Sequence, residues 1–115
     1  MKKTVSIKKN RDFKLLYRKG KSAVTPVLAM YARKTKHTTS RIGITVSTKV
    51  GKAVVRNRVR RRIREAYRKN EELFITGIDL VVVARHRASE SSFSEIEKNL
   101  LRLAESLGML SEGQE

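Results

Sequence analysis

The stretch Val46–Glu65, VSTKVGKAVVRNRVRRRIRE, decides how this chain is read. Six arginines fall between Arg56 and Arg64, Lys49 and Lys52 precede them, and no acid interrupts the run before Glu65. So much like charge ordinarily marks a disordered basic tail. Here Val55, Val59, Ile63, Ala66 and Tyr67 recur through the same residues at helical spacing. At about 100° per residue they share one face, and Asn57, Arg60, Arg61, Arg64 and Arg68 gather on the opposite one. Arg56 and Arg58 fall on opposite flanks, and Arg62, close to the apolar stripe, is expected to snorkel its guanidinium outward. A helix from about Ala53 to Asn70, docked by its back on a core, would present a rigid bank of guanidinium forks suited to phosphates.

The charge of the whole chain points the same way. The net charge is +16 over 115 residues, and it is lopsided. Residues 1–64 hold 21 Lys/Arg against a single acid, Asp12, whereas residues 65–115 hold 6 against the other 10. Self-repulsion of this size lowers stability, which is the expected cost of serving an extended polyanion. An anionic membrane surface fits less well, because there is no long apolar run and the basic helix lacks a broad Trp/Phe/Leu face. The chain contains no cysteine, which excludes disulfides and thiolate metal sites. His37 and His86, the two histidines, lie in no ligand-spaced motif, so no protein-held metal is expected. MKKTVSIKKN has no apolar h-region and does not read as a signal peptide, giving an expectation of a cytoplasmic protein. The length suits one domain over residues 1–115, with a tail from about residue 109, ending SEGQE, expected to fray.

Working outward, Asn10 is placed to cap a first helix running to Lys19 and ending at Gly20, with Phe13, Leu16 and Tyr17 at i, i+3, i+4. After a turn at Thr25–Pro26, residues Val27 to Arg33 read as a strand, Leu28, Met30 and Ala32 pointing one way and Val27, Ala29 and Tyr31 the other. Ile42 to Ser47 make the next strand. Its Ile42/Ile44/Val46 face belongs on a core, and its Gly43/Thr45/Ser47 face is small and polar, leaving room for something to lie across it. Asp79 to Arg85 has an apolar centre with no polar side, as expected of a strand buried between neighbours. Ser92 and Glu95 form a capping box for a last helix striped by Phe93, Ile96, Leu100, Leu103, Ala104 and Leu107, with Gly108 at its end. The residues therefore describe an α+β fold, an α/β sandwich of helices on a small sheet, in which the arginine helix bridges two strands as a βαβ crossover.

The long spaced motif, with its Arg-Asn-Arg triplet at Arg56, Asn57 and Arg58, resembles the signature of the bacterial ribonuclease P protein subunit family. KKNRDFKLLYRKGKS, a strand carrying Tyr31, and DLVVVAR occur in that family's order, over roughly residues 5–105. Arg60 stands where the family often has lysine, and Tyr17 where phenylalanine is also common. The resemblance implies an α-β-β-β-α-β-α sandwich with a four-stranded sheet and a left-handed crossover, against the general right-handed rule. It also implies an accessory role in a ribonucleoprotein whose RNA hydrolyses off the 5′ leader of precursor tRNA. Mg2+ would then be held by the RNA component. The partners implied are the catalytic RNA and precursor tRNA, with no membrane and no DNA.

Two surfaces follow. The arginine helix with Lys49, Lys52, Arg56, Asn57, Arg58, Arg60, Arg61, Arg64 and Arg68 is the expected docking face for the catalytic RNA. Asn57 adds an amide able to donate and accept at once. The second is a cleft between the first helix and the sheet. By spacing alone Phe13 and Tyr17 are more often core residues; the resemblance makes Phe13, Tyr17 and Tyr31 stacking platforms for a single-stranded leader, with Lys14 and Arg18 at the rim. No catalytic residue is expected in the protein, since the basic half offers no paired carboxylates, His dyad or activated nucleophile. A basic ribosomal or other structural RNA-binding protein would share the charge but not the ordered signature. A DNA-reading regulator would need more base-reading side chains than Asn57 on the exposed face.

Overall fold

Two segments of alternating hydrophobicity and one that is apolar on both faces build the centre of a five-stranded sheet, and two short strands extend it on either side. In the computed structural model, which describes residues 1 and 3–111, the elements run β1 (Thr4–Ser6), α1 (Asn10–Lys19), β2 (Lys21–Val24), β3 (Leu28–Lys34), β4 (Ser40–Thr45), α2 (Ala53–Lys69), β5 (Ile78–Ala84) and α3 (Phe93–Ser106). Strand order across the sheet is β1-β4-β5-β3-β2. β4 and β5 pair in parallel and are joined through α2, so the arginine helix is a βαβ crossover as expected.

The expectation of four strands is corrected to five. β1 and β2 are edge strands of three and four residues, mostly exposed, and carry too little alternation to read from sequence. β1 exists because its surroundings hold it: it pairs parallel to β4, and the Thr4 hydroxyl donates to Glu71 Oε2 at 2.7 Å. Since that hydroxyl donates to the carboxylate, it accepts from the Tyr67 hydroxyl, also at 2.7 Å. Tyr67 lies in the last turn of α2 and Glu71 just beyond it, both far along the chain.

The sheet is covered on both faces. On one, Leu28, Met30, Ala32, Leu80 and Val82 pack with Val59, Ile63, Ala66 and Tyr67 of α2 and Ile96, Leu100 and Leu103 of α3, all essentially without exposure. This is the main core, and the apolar stripes read from both helices supply it. On the other face a smaller cluster of Ile7, Leu16 and Val81 lies beneath α1, with Phe13, Tyr31 and Val83 half-buried around it.

Local signals held in part. Ser92 and Glu95 make the reciprocal capping box, and Gly108 adopts the left-handed φ of +73° just beyond α3. Asn10 does not cap α1; Lys9 occupies that position and supplies no side-chain bond. Gly20 does not use a left-handed conformation either, having φ −76°. It is needed for space, because a Cβ there would sit 2.7 Å from the Leu16 carbonyl and 3.2 Å from that of Ala32. The tail expected to fray from residue 109 is anchored at its start. Met109 is buried, its carbonyl accepts from the Ile75 amide at 2.9 Å, and the Ser111 amide donates to the Leu73 carbonyl at 2.7 Å. Residues 112–115 lie outside the described residues.

Candidate nucleic-acid interface

The 17-residue helix α2 turns its basic residues outward as the period dictates. Asn57, Arg61, Arg64 and Arg68 are exposed and Arg60 is half-exposed, while Val59, Ile63, Ala66 and Tyr67 are buried beneath them. The side chains of Arg61 and Arg64 make no hydrogen bond among the described residues. Arg60 Nη1 donates to Asn57 Oδ1 at 3.0 Å, so these two side chains share one position on the face and leave the Asn57 amide nitrogen as a donor. Arg68 pairs with Glu65 one turn earlier; both are well exposed, and such a pair is weak enough for a phosphate to displace. Lys52 is the residue before the helix and Lys49 lies in the short turn Thr48–Val50, both exposed.

The flanks behave differently. Arg56 Nε donates to the Gly51 carbonyl at 3.1 Å, bracing the start of the helix. Arg58 is half-buried, and its Nε has neither solvent contact nor a hydrogen-bond partner among the described residues. Arg62, expected to snorkel to solvent, instead donates to the Ser91 carbonyl at 2.7 Å. Of the Arg-Asn-Arg triplet, Asn57 is thus the fully presented member.

α1 packs across β3 and β5, and its side chains reach over to β4 in a register that builds the second surface. Asp12 meets Arg41 at 3.2 Å, the Phe13 ring covers Gly43, and the Tyr17 hydroxyl lies 3.2 Å from Thr45 Oγ1. Residues 41, 43 and 45 share one face of the strand, so three consecutive positions on that face each meet a residue of α1. The space over Gly43, expected to stay open, is filled by Phe13: a Cβ at residue 43 would stand 2.6 Å from the ring. Tyr17 and Tyr31 stack edge-to-face with ring centroids 4.9 Å apart. Phe13 and Tyr31 are half-buried against the small core, whereas Tyr17 is 41% exposed and lies outside it, resting on Tyr31. Lys14 and Arg18 are exposed along the same helix.

The two surfaces meet. A pocket of about 210 Å³ opens at the edge of β4 beyond the end of β1, lined by Phe13, Gly43 and Ile44 on one side and by Arg60 and Arg64 on the other. Ile42 directs its carbonyl to β1, accepting from Ile7 at 2.8 Å. By strand alternation Ile44 directs its own N–H and C=O the same way, past the end of β1 and into this pocket. Aromatic ring, edge backbone and two guanidiniums therefore converge within one groove.

These features match one family over almost the whole chain: residues 1–108 fit ribonuclease P. The chain belongs to the ribonuclease P protein family. It is 45% identical over 102 residues to the ribonuclease P protein component of Clostridioides difficile, covering 88% of this chain and 90% of that one. The component from Alkaliphilus metalliredigens is 43% identical over 105 residues, covering 91% and 95%. The Staphylococcus aureus RNase P protein superposes with a TM-score of 0.84 at 32% identity, covering 92% of this chain and 97% of that one. The Thermotoga maritima RNase P protein gives 0.77 at 35% identity, covering 84% and 92%. As a ribonuclease P protein the chain is a subunit of an endoribonuclease that processes tRNA, and the ribosomal alternative is left without support.

One group escaped sequence reasoning. Arg41 forms a bidentate pair with Asp79, Nε to Oδ1 at 3.0 Å and Nη2 to Oδ2 at 2.7 Å, while its Nη1 reaches Asp12. The hydrogen bonds to Asp79, then the two nearby carboxylates, raise Arg41 far above its ordinary value, so it is a permanent cation. Two oddities in the sequence signalled it: Asp12 is the one acid of residues 1–64, and Asp79 opens an otherwise apolar strand.

Proposed function

We propose that this ribonuclease P protein binds the catalytic RNA through the α2 face and holds the 5′ leader of precursor tRNA in the groove between α1, β3 and β4. The observation that carries the reading is the convergence of Phe13, Ile44, Arg60 and Arg64 on one pocket. A strand passing over the aromatic residues would meet, without a gap, the guanidiniums that face the RNA. Aromatic faces stack on any base, which suits leaders of differing sequence, and Lys14 and Arg18 supply backbone neutralisation.

Hydrolysis in this reading belongs to the RNA. The acids nearest the groove, Asp12 and Asp79, are both held by Arg41, and the described residues contain no group of three His, Cys, Asp or Glu able to hold a metal. The donor set does not fit a protein-held Mg2+, and in this reading the ions belong to the RNA component. What the protein contributes is charge and placement. Guanidiniums on phosphates replace cations otherwise condensed there, which lowers the magnesium needed for the RNA to act. No helix of the described residues is long and apolar enough to cross a membrane, in keeping with work in the cytoplasm.

The test is cleavage of a precursor tRNA by the catalytic RNA with and without this protein across a magnesium series. The expected result is accurate 5′ processing at lower magnesium with the protein, and none by the protein alone. Specific 5′ processing by RNA-free protein would overturn the assignment.

A further inference from the structure

α1 carries the first half of the leader groove but is weakly located by packing. Leu16 is its one buried residue, and the cluster it enters has only two other buried members, Ile7 and Val81. One fully buried side chain, with Phe13 half-buried beside it, resists rolling of the helix about its axis only weakly, and a small roll would lift Phe13 off Gly43. Charge makes matters worse. α1 bears Arg11, Lys14, Arg18 and Lys19, and the sheet beneath presents Arg33 and Arg41, so helix and sheet would repel one another.

Asp12 removes that conflict. It sits one residue before Phe13, and Arg41 sits two residues before Gly43 on the same face of β4. Arg41 itself is fixed by both oxygens of Asp79, whose side chain is only 8% exposed, on the neighbouring strand β5. Arg41 is thereby a rigid fork planted in the sheet, with its third nitrogen group reaching up to α1. The Asp12 pairing is partly exposed, at 23% for the carboxylate and 33% for the arginine, and contributes little to global stability. Its effect is angular: it fixes the end of α1 that the Tyr17–Thr45 pairing one turn later does not reach.

We infer that Asp79, Arg41 and Asp12 form a positioning relay that sets the roll of α1 and so the seating of Phe13 in the leader groove. The inference rests on the groove being the leader site, and the experiment separates the two. Holoenzymes carrying wild-type protein, Asp12→Asn, Asp12→Glu or Phe13→Ala are compared for affinity toward precursor and mature tRNA, and the proteins for affinity toward the catalytic RNA. Asp12→Asn leaves the Arg41–Asp79 pair intact, so the buried carboxylate keeps its partner and the fold is retained, as melts would verify.

The expected result is a fall of about 5–10-fold in the precursor-to-mature affinity ratio for Asp12→Asn, a displaced platform losing part of its stacking. Asp12→Glu should keep most of the ratio, because a carboxylate can still reach Arg41. Binding of mature tRNA and of catalytic RNA should be unchanged in both. If Phe13→Ala lowers the ratio and Asp12→Asn does not, the relay is refuted and the groove stands. If Asp12→Asn weakens all three RNAs alike, the pair is merely structural and the inference fails. If Phe13→Ala itself leaves the ratio untouched, the groove reading falls and the relay with it.

Discussion

Gly43 shows how one missing side chain shapes the groove. Any Cβ there would collide with the Phe13 ring at 2.6 Å, yet the colliding atoms are the far end of a half-buried side chain that can swing away. Gly43→Ala should therefore cost only about 1–3 kcal/mol of stability while evicting Phe13 from its seat and reducing leader affinity. Denaturant melts beside precursor affinities check this, and an unchanged affinity would show that the seat is unimportant. The same half-burial grades the neighbours. Phe13→Ala should destabilise by less than the roughly 2–5 kcal/mol of a buried Leu→Ala change, so Leu16→Ala, at 1% exposure, should melt well before it. Sequence spacing could identify Phe13, Leu16 and Tyr17 as one face but could not say which turned fully inward. Residues 12, 13 and 17 meet 41, 43 and 45 only once the sheet is formed, and no local period encodes that register.

At the scale of elements, α2 was legible almost in full, because a 3.6-residue apolar period and a basic complement run through the same 17 residues. What lay beyond reading was the fate of its flanks, since Arg56 folds back on the Gly51 carbonyl just before the helix and Arg62 reaches the Ser91 carbonyl of a distant turn. Truncating Arg60 and Arg64 together should weaken binding of the catalytic RNA. It should also flatten the salt dependence by about one unit of log–log slope for each phosphate the variant no longer neutralises. A slope equal to wild type would remove this face from the docking surface. β1 was illegible for a related reason: three residues carry no period, and the strand is held by Tyr67 and Glu71. Burial pushes the Tyr67 hydroxyl above its ordinary 10.0, and the nearby Glu71 charge adds to the rise. A raised folded value means full stabilisation below the unfolded value and progressive loss as pH climbs from about 10 through the folded value. Melting temperature should accordingly fall more steeply above pH 10 in wild type than in Tyr67→Phe. Parallel profiles would show that this hydroxyl is not linked to folding.

For the molecule as a whole, the charge asymmetry acquires a geometry. Arg60 and Arg64 of α2 line the groove, and the basic side chains Lys14 and Arg18 of α1 and Lys49 and Lys52 before α2 are exposed. The more acidic second part of the chain contributes α3, whose apolar stripe is sealed against the main core and whose exposed side includes Glu95 and Glu105. Complementary charge on one side orients a polyanion during approach and disfavours docking on the other. The sequence disclosed the imbalance but not its arrangement, because placing α1 and α2 around a common groove depends on the crossover and on the two edge strands. Whether the leader lies in this groove can be read from crosslinking holoenzyme to precursor tRNA carrying a photoreactive base at successive leader positions, with the attachment sites mapped on the protein. The expected result is attachment to Phe13, Tyr17 and Tyr31, with other leader positions reaching Arg60 or Arg64, and none from bases in the mature tRNA body. Leader crosslinks confined to α3 or to the β2 edge would contradict it.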